Sequence, residues 1–355
     1  MTDSSYDDEM LAHIKSTVAP ATVDRAEILA ELKAMHVVTG DDQAIDVELD
    51  QMIAHILAGN SREGYALTIT GKSGAGKTTS LNRRLDAHPS FKPFVGKYGN
   101  KLSLSLRATT PSSCTAKTLG KELLEKTGYV LQSDRDEHDI WRILLDRMEK
   151  MQTRILVLDE FQHVLDAPTS KKYMHLSNTI KNLLINDGRP IWLILSGVPS
   201  IVDFIDRDPA KQLDRRAPLI EITGLKDSQE DLERIADVVY ELVEACGLTL
   251  GFALTRDFLL RLMHGGIWRF GMTVQIVKNA IERGLWDRTW TKEKGAVLHH
   301  RHFAEGYRRL ARNCSLETNV FLIDDWHHIQ REVDNEGRLM DAATMPRKSG
   351  RPRMA

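Results

Sequence analysis

The sequence predicts an α/β protein in which a parallel sheet is flanked by helices and followed by a smaller, all-helical domain. Three observations carry this prediction. A short apolar strand, a glycine-rich turn and a helix follow one another between residues 65 and 85. Two further apolar runs end in polar residues, at Asp159-Glu160 and at Ser196-Gly197, as expected of buried parallel strands. From Ser228 to Asn313 the apolar residues recur at helical spacing only.

The composition is that of a soluble globular chain. Hydrophobic residues make up 42% and charged residues 28% of the 355 residues, and the formal net charge is −2. No apolar run is long enough to span a bilayer, and the acidic start MTDSSYDDEM does not resemble a secretion signal, so we expect a cytoplasmic protein with no membrane partner. The three cysteines are widely spaced and lack metal-ligand spacing, which favours reduced thiols.

The turn after the first strand reads GKSGAGKT and fits the G-x-x-x-x-G-K-[ST] pattern at every fixed position. Its glycines let the backbone curl so that several N–H groups point inward, which forms an anion site at a helix N-terminus. Lys77 adds a positive charge aimed at the β- and γ-phosphates, and the hydroxyl of Thr78 is placed to ligate Mg²⁺. The pattern therefore predicts a site for ATP and Mg²⁺, made by Gly71, Lys72, Ser73, Gly74, Ala75, Gly76, Lys77, Thr78 and Thr79.

A second group of candidates follows the apolar run ILVL, where Asp159 and Glu160 end a strand predicted to be buried on both faces. Open α/β sheets bind ligands at the carboxyl ends of their strands, where the glycine-rich turn also lies. We expect Asp159 to hold Mg²⁺ opposite Thr78, and Glu160 to orient and deprotonate the water that attacks the γ-phosphate. Apolar runs followed by Asp-Glu also occur at ordinary strand ends, but the preceding glycine-rich turn favours the catalytic interpretation.

The next buried strand, IWLIL, ends at Ser196-Gly197. A polar residue at this strand end, beside the strand of Asp159, is placed to touch the γ-phosphate or the attacking water, and Ser196 is the candidate. The alternative is that Ser196 and Gly197 only terminate the strand in a turn.

Three arginines are candidates for contact with the γ-phosphate. Arg215 and Arg216 belong to a charged loop before the last strand, and in oligomeric ATPases such an arginine reaches the γ-phosphate of a neighbouring subunit. Arg269 lies near a helix start in the all-helical domain and would face the nucleotide if that domain folds over it. For each arginine the alternative is a solvated surface position, and the sequence does not distinguish Arg215 from Arg216 as the residue that reaches across.

The motifs divide the chain into four parts. We expect an N-terminal helical extension over residues 1–44, a nucleotide-binding core over 45–226, a helical lid over 227–313, and a C-terminal segment with a basic tail over 314–355. The amphipathic helix that leads into the first strand either walls the base pocket or covers the sheet edge. An alternating strand is predicted at 102–107, and a short packing or docking helix at 320–329.

The histidine run at residues 299–302 and the basic C-terminal tail each have a functional and a structural interpretation. The run HHRH at residues 299–302 is interpreted as a polar helix cap rather than a metal site, since no acidic or cysteine ligand accompanies it. The tail sequence RKSGRPR contains a Gly-Arg-Pro core whose arginines could enter the minor groove of A·T-rich DNA. A soluble basic tail without such a contact is the interpretation that we favour.

The order of these motifs is that of an AAA+ ATPase. Within that superfamily the chain resembles the TniB/TnsC-type transposition regulators, which are related to the phage Mu target-selection ATPase. The resemblance rests on the stretches ITGKSGAGKTT, LVLDEFQHVL, LILSGVP, QLDRR and GGIWRF, and it extends from about residue 40 to residue 310. The matching motifs carry over the family's roles onto Lys77, Thr78, Asp159, Glu160, Ser196 and Arg269, and less directly onto Arg215 and Arg216.

The resemblance implies ATP-bound subunits that assemble head to tail into rings or helical filaments on double-stranded DNA. These homo-oligomers would recruit a DDE-type transposase and a target-selection protein, and hydrolysis would dismantle them. Family members follow the DNA backbone with basic and hydroxyl side chains, in contacts that are largely sequence-independent and salt-sensitive. The candidates for these contacts are Lys101, Lys117, Lys121, Lys171 and Lys172.

Three other functions are weighed against this one. A nucleotide-switch scaffold would recruit effectors without DNA, and the basic tail and exposed lysines argue mildly against it. An ATPase of a secretion complex would need a membrane segment or a peptidoglycan-type module, and the sequence shows neither. A replication initiator or helicase loader would be expected to carry a winged-helix domain after the lid, and residues 314–355 are too short to hold one.

Overall fold

The computed structural model describes residues 4–59, 64–166, 169–185, 189–206, 218–334 and 339–341. The helices are α1 (Ser4–Thr17), α2 (Pro20–Ala34), α3 (Gly40–Leu57), α4 (Lys77–Ala87), α5 (Ala116–Lys126), α6 (Glu137–Lys150), α7 (Ser170–Leu184), α8 (Val202–Asp206), α9 (Gln229–Ala245), α10 (Arg256–Gly265), α11 (Phe270–Leu285) and α12 (His300–Leu310). The strands are β1 (Ala66–Gly71), β2 (Phe94–Val95), β3 (Lys101–Leu102), β4 (Ser105–Thr109), β5 (Ile155–Asp159), β6 (Trp192–Gly197), β7 (Leu219–Ile222), β8 (Thr249–Leu250), β9 (Val297–Leu298), β10 (Arg331–Val333) and β11 (Leu339–Asp341).

The chain divides into two compact units. The first, which we call the α/β unit, is Val38–Thr223, and the second, the helical unit, combines Met1–Val37 with Gly224–Ala355. The boundary between the units falls between α2 and α3, because Leu32 of α2 is buried in the core of the helical unit and Ile45 of α3 in that of the α/β unit. The N-terminal extension over residues 1–44 stays a prediction.

A parallel sheet organises the α/β unit. Its five strands lie in the order β4-β5-β6-β1-β7, so β1 is flanked by β6 and β7. Side chains alternate between the two faces of a strand. In β5, Ile155 and Val157 pack in the cluster that contains Leu81 of α4, whereas Leu156 and Leu158 pack in the opposite cluster. This arrangement confirms the predicted fold class and explains why the strand is apolar on both faces.

Helices cover both faces of the sheet. The α3 and α4 side is held by Ile45, Leu49, Met52, Leu81 and Leu85, and the other side by residues of α5, α6 and α7 that include Leu119, Leu123, Leu144, Met148, Leu176 and Ile180. Helix α3 therefore packs on the sheet beside α4, and its role as a wall of the base pocket stays a prediction. Because all strands are parallel, the residues that end β1, β5 and β6 lie at one edge of the sheet.

The helical unit is built around α9, α10, α11 and α12. Its buried core contains the rings of Phe258, Phe303 and Tyr307, and Trp326 is buried against the same cluster. The segment 320–329 was expected to be a helix, but it forms turns and a single 3₁₀ turn at Trp326–His328. Its buried aromatic and aliphatic side chains explain why the composition looked helical.

Three further expectations can be compared with the structure. The strand expected at 102–107 is divided: Lys101–Leu102 pairs with Phe94–Val95 in a hairpin, and only Ser105–Thr109 joins the sheet. Cys114, Cys246 and Cys314 are free thiols. Among the described residues, no helix is both long and apolar enough to cross a membrane.

Candidate nucleotide-binding site

The glycine-rich turn joins the end of β1 to the start of α4. Gly74 and Gly76 have φ values of +79° and +110°, in the region that favours glycine. Gly71 is required for a different reason, because a Cβ atom there would lie 2.9 Å from the carbonyl oxygen of Ile222 in β7. The glycines of the motif therefore allow the backbone to curl and allow β7 to approach β1 closely.

Lys77 begins α4 and is almost fully buried, with 5% of its surface exposed. Its Nζ donates to the carbonyl oxygen of Lys72 at 3.2 Å, so the ammonium group lies across the turn rather than extending into solvent. The N-terminus of α4 adds the partial positive charge of its free N–H groups. Together they make a positively charged concave surface that fits phosphate groups.

The hydroxyl of Thr78 donates to Oδ2 of Asp159 at 2.7 Å. The contact joins the first turn of α4 to the end of β5, two elements that are far apart in the chain. It follows from strand alternation, because Asp159 lies on the same face of β5 as Ile155 and Val157, which pack against α4. A hydroxyl and a carboxylate in contact are the hard oxygen ligands that Mg²⁺ prefers, so these residues fit that ion.

Glu160 follows Asp159 in a left-handed conformation, with φ of +52°. Few residues other than glycine, asparagine and aspartate adopt this conformation, which turns the chain sharply out of β5 into the 3₁₀ turn Phe161–Val164. The backbone N–H of Glu160 donates to Oδ1 of Asp159 at 2.9 Å. Both carboxylate oxygens of Asp159 are thus held, one by Glu160 and the other by Thr78.

Gln162 is the residue of this site that the sequence interpretation missed. Its Nε2 donates to Oε2 of Glu160, and its Oε1 accepts the backbone N–H of Val198 at 3.2 Å. A Cβ atom at Gly197 would overlap Oε1 of Gln162, so glycine leaves room for the amide in this position. The side chain of Gln162 therefore bridges the carboxylate of Glu160 and the end of β6.

Ser196 lies at the end of β6, opposite Ile69 of β1 in the sheet register. It shares a strand face with Trp192 and Ile194, which pack in the cluster that contains α4. Its residue is fully buried, and its Oγ has no hydrogen-bond partner among the described atoms. A buried hydroxyl normally has a partner, so this one fits a polar group that a ligand would bring.

A second feature that the sequence interpretation missed joins α3 to α4. Carboxylates spaced four residues apart on α3 contact side chains spaced four residues apart on α4 and at its C-cap, which brings both sets to facing surfaces. The pairs are Asp42 with Ser80, Asp46 with Arg84, and Asp50 with His88. Asp42 is fully buried and also accepts the backbone N–H of Thr39 at 2.7 Å as part of a capping box. The helix that begins at the phosphate turn is thus fixed along its length.

The remaining residues predicted for the turn lie where the motif requires. Lys72, Ser73 and Thr79 are exposed, and Ala75 is buried under the turn. Arg215 and Arg216 lie outside the described residues.

Arg269 precedes α11 in the helical unit as its N-cap residue. Burial lowers its pKa, and the charge of Glu332 opposes that shift. Its predicted contact with a nucleotide stays a prediction.

The lysines predicted to contact DNA lie on three different elements. Lys101 is on β3, Lys117 and Lys121 are on α5, and Lys171 and Lys172 are in the first turn of α7. Lys117 and Lys121 both donate to Asp134, at 2.9 and 2.7 Å. Hydrogen bonds from Lys121 and Lys117 lower the pKa of Asp134 to about 2, so one carboxylate offsets part of the charge of both lysines.

The histidine run begins α12 as a helix cap, which agrees with its sequence interpretation. The N–H of His299 donates to Nδ1 of His302 at 3.1 Å, and His302 also contacts Asp287 at 3.2 Å. Among the described residues, no cluster of histidine, cysteine, aspartate or glutamate side chains is suited to a metal ion.

Residues 60–205 match the family model of the AAA domain. They contain the glycine-rich turn, the Asp159-Glu160 pair and Ser196. The α/β unit has the fold of an AAA+ P-loop core. No curated protein shows significant sequence similarity to the chain.

Solved structures support the same fold. The ORC2 protein of Aeropyrum pernix, in ADPNP–ADP complexes, has a TM-score of 0.54 at 16% identity, covering 78% of this chain and 68% of its own. The ORC1 protein of the same organism, in complex with DNA, has a TM-score of 0.53 at 13% identity, covering 79% and 68%. Cdc6p from Pyrobaculum aerophilum has a TM-score of 0.52 at 12% identity, covering 80% and 70%. These similarities are to AAA+ proteins, and the narrower TniB/TnsC resemblance stays a prediction.

Proposed function

We propose that the chain binds ATP with Mg²⁺ at the edge of the sheet and hydrolyses it. The observation that carries this proposal is the contact between Thr78 and Asp159, with Glu160 directly after it. The turn provides positive charge for phosphates, the two contacting oxygens fit Mg²⁺, and a carboxylate beside them can accept a proton. A site that only bound phosphate would not need the carboxylate of Glu160.

Each residue has a separate task in this proposal. Lys77 and the N–H groups of the turn hold the β- and γ-phosphates, while Thr78 and Asp159 hold Mg²⁺, which when bound neutralises charge on the phosphates. Glu160 accepts a proton from the attacking water. Ser196 donates its hydroxyl, which has no partner among the described residues, to the γ-phosphate or that water.

Gln162 restrains Glu160 in this proposal. Its amide occupies one oxygen of the Glu160 carboxylate and is itself held by the N–H of Val198. A shift at the end of β6 would therefore change the orientation of the base. Since Ser196 lies two residues before Val198, contact between Ser196 and a phosphate is a direct way to produce that shift.

Double-stranded DNA is the proposed macromolecular partner. The similarity to ORC1, which was solved with DNA, supports this choice, as do the exposed lysines of the α/β unit. Subunits would assemble into a homo-oligomer in the ATP state, with Arg215 or Arg216 reaching the γ-phosphate of a neighbour and Arg269 contacting the nucleotide of its own subunit. The finer proposal is a regulator of transposition that recruits a DDE-type transposase and a target-selection protein, and it rests on the motif resemblance alone.

An initiator-type ATPase is the second candidate, favoured by the similarity of the fold to ORC and Cdc6 proteins. The two functions differ in DNA selection. A target regulator should assemble on any duplex in the ATP state, whereas an initiator should prefer particular sites. Competition between labelled and unrelated unlabelled duplexes distinguishes them.

The ATPase assignment is tested by measuring phosphate release from the full-length protein, with and without duplex DNA. We expect slow turnover that requires Mg²⁺ and that DNA changes, and no turnover in Lys77→Ala. Equal turnover in Lys77→Ala would contradict the assignment of the site. Turnover that is normal but indifferent to DNA would support the nucleotide-switch scaffold instead.

A further inference from the structure

One hairpin of the α/β unit exposes three large apolar side chains that lie close together in the sequence. We call residues 92–101, which include β2 and the start of β3, the basic hairpin. Phe94, Val95 and Tyr98 expose 59%, 73% and 82% of their surface. Three large apolar side chains this exposed and this close in sequence are unusual, because scattered single ones are the normal case.

The basic hairpin has a defined conformation and is anchored at both ends. Phe91 before it and Leu102 at its end are buried, with 2% and 6% of their surface exposed. The N–H of Gly96 donates to the carbonyl oxygen of Asn100 at 2.8 Å, and Gly99 has a φ of +77° that turns the chain back. The exposed side chains are therefore presented by a closed turn between two fixed points.

The charge of this region has one sign. No aspartate or glutamate occurs between Asp86 and Glu122, and the basic hairpin carries Lys92, Lys97 and Lys101. None of these three lysines forms an ion pair with a carboxylate in the described part of the chain. The other cations of this stretch are already paired: Arg107 contacts Asp86, and Lys117 and Lys121 contact Asp134.

Neighbouring carboxylates do not neutralise the basic hairpin. Its Asn100 contacts the carbonyl oxygen of Lys150, at the end of α6. In that last turn Asp146 already pairs with Lys150 at 2.8 Å, and Glu149 lies 3.6 Å from Arg189. The lysines of the hairpin are thus free to meet an anionic partner.

The aromatic side chains fit the same partner. The ammonium group of Lys97 lies 4.7 Å from the centroid of the Tyr98 ring, so a cation and an exposed aromatic face are presented together. Lysines bind phosphates, and exposed aromatic rings pack on sugars or bases. A two-stranded ribbon is also narrow enough to lie in the major groove of duplex DNA.

We propose that the basic hairpin is a duplex-DNA contact of this protein, with its three lysines on phosphates and with Phe94 and Tyr98 against the sugar–base surface. The proposal rests on the DNA-binding function proposed above and names the element that carries it. The hairpin lies between the end of α4 and the start of β4, at the amino-terminal edge of the sheet. It is therefore at the opposite edge from the glycine-rich turn, and DNA can be bound without covering the nucleotide site.

The test compares two triple variants with the same change in net charge. The hairpin variant is Lys92→Glu/Lys97→Glu/Lys101→Glu, and the control changes exposed lysines elsewhere, as Lys15→Glu/Lys226→Glu/Lys294→Glu. Anisotropy of a short labelled duplex is measured with a slowly hydrolysed ATP analogue over a range of salt concentrations. Basal ATP turnover without DNA reports whether each variant is folded, because the hairpin is remote from that site.

We expect the hairpin variant to lose at least about tenfold in affinity. The negative slope of log affinity against log salt should become less steep by about 2.7, because three phosphate contacts of about 0.9 each are lost. The control should bind as the wild type does. The variant Phe94→Ser/Tyr98→Ser should bind more weakly with an unchanged salt slope. If the triple glutamate variant is unfolded, Lys92→Gln/Lys97→Gln/Lys101→Gln is used, with the same expected direction.

Three outcomes would overturn the proposal in different ways. Wild-type affinity and salt slope in the hairpin variant would show that the hairpin does not contact DNA, while the DNA-binding function itself would still hold. Absence of DNA binding by the wild type would contradict that function, and the hairpin assignment with it. Loss of DNA binding together with loss of ATP-driven assembly in the absence of DNA would assign the hairpin to contacts between protein subunits.

Discussion

The amide of Gln162 donates to the carboxylate of Glu160. The same side chain accepts the N–H of Val198, just beyond the strand that carries Ser196. Glu160 is the proposed base, and Ser196 is the buried hydroxyl proposed to contact phosphate. One side chain therefore links the two ends of the candidate site, and the absence of a Cβ atom at Gly197 makes room for it.

Replacing Gln162 tests this link. Methionine has a similar length and cannot donate or accept through an amide, so Gln162→Met should release Glu160 from its restraint. A hydrogen bond to a charged group contributes about 1.5 kcal/mol, which corresponds to a rise in basal kcat of about tenfold. KM for ATP should not change, and stimulation by DNA should weaken. The exposed Gln132→Met is the control, and a fall in basal kcat would show that Gln162 orients the base for reaction instead.

Glu160→Gln removes the proposed base but keeps the size of the side chain. General base catalysis typically contributes 10²–10⁴-fold, so we expect kcat to fall by at least about a hundredfold while ATP still binds. The variant should hold its ATP-state oligomers for longer than the wild type, which size-exclusion chromatography measures. Wild-type turnover in Glu160→Gln would exclude this residue as the base.

Thr78→Val tests the proposed Mg²⁺ ligands, because valine keeps the shape of threonine and lacks the hydroxyl that contacts Asp159. We expect the Mg²⁺ concentration for half-maximal turnover to rise by about tenfold or more, which corresponds to about 1.4 kcal/mol. Thr79→Val, at the next and exposed position, should change it little. Equal Mg²⁺ requirements in the two variants would count against Thr78 as a ligand.

Asp42→Ala tests the contact between α3 and α4. Asp42 is fully buried and accepts hydrogen bonds from Ser80 and from the N–H and hydroxyl of Thr39. Loss of the Asp42 half of the capping box and of the buried partner of Ser80 should lower the free energy of unfolding of the α/β unit by about 2 kcal/mol. The urea midpoint measures this loss, and Gln43→Ala at an exposed position is the control. An unchanged midpoint would show that water replaces these bonds at no cost.

Acid should destabilise the helical unit through its histidines. Burial lowers the pKa of His264 and of His302, so both are neutral in the folded chain at pH values where they are protonated in the unfolded one. Stability should therefore decrease as the pH falls below the unfolded value of about 6.5. The urea midpoint at pH 7.5 and at pH 5.5 measures this, and His264→Gln should reduce the difference. A midpoint that rises on acidification would contradict the sign.

The fold class and the glycine-rich turn could be predicted because their signals are local. The turn is defined by eight consecutive residues, and the run Ile155–Asp159 shows burial on both faces by composition alone. Gln162 and the pairs between α3 and α4 could not be predicted in the same way, because each joins segments far apart in the chain. The spacing of Asp42, Asp46 and Asp50 was a usable signal, since residues four apart share one helix face.

The pairing of the strands near residue 102 could not be predicted from the sequence pattern. The alternating residues at 102–107 predicted one strand, whereas Lys101–Leu102 pairs with Phe94–Val95 and Ser105–Thr109 joins the parallel sheet. Periodicity indicates a strand but does not say which partner it pairs with. The segment 320–329 differs for a related reason, because apolar side chains that pack without a helix have the same composition as those that pack within one.

The central claim is that nucleotide state controls assembly on DNA, and sedimentation with linear duplex DNA tests it most directly. The full-length protein is spun with DNA and either a slowly hydrolysed ATP analogue or ADP, and the pellets are viewed by electron microscopy. We predict rings or filaments on DNA with the ATP analogue and none with ADP. Oligomers that form equally with and without DNA, or that form equally with ADP, would contradict the account.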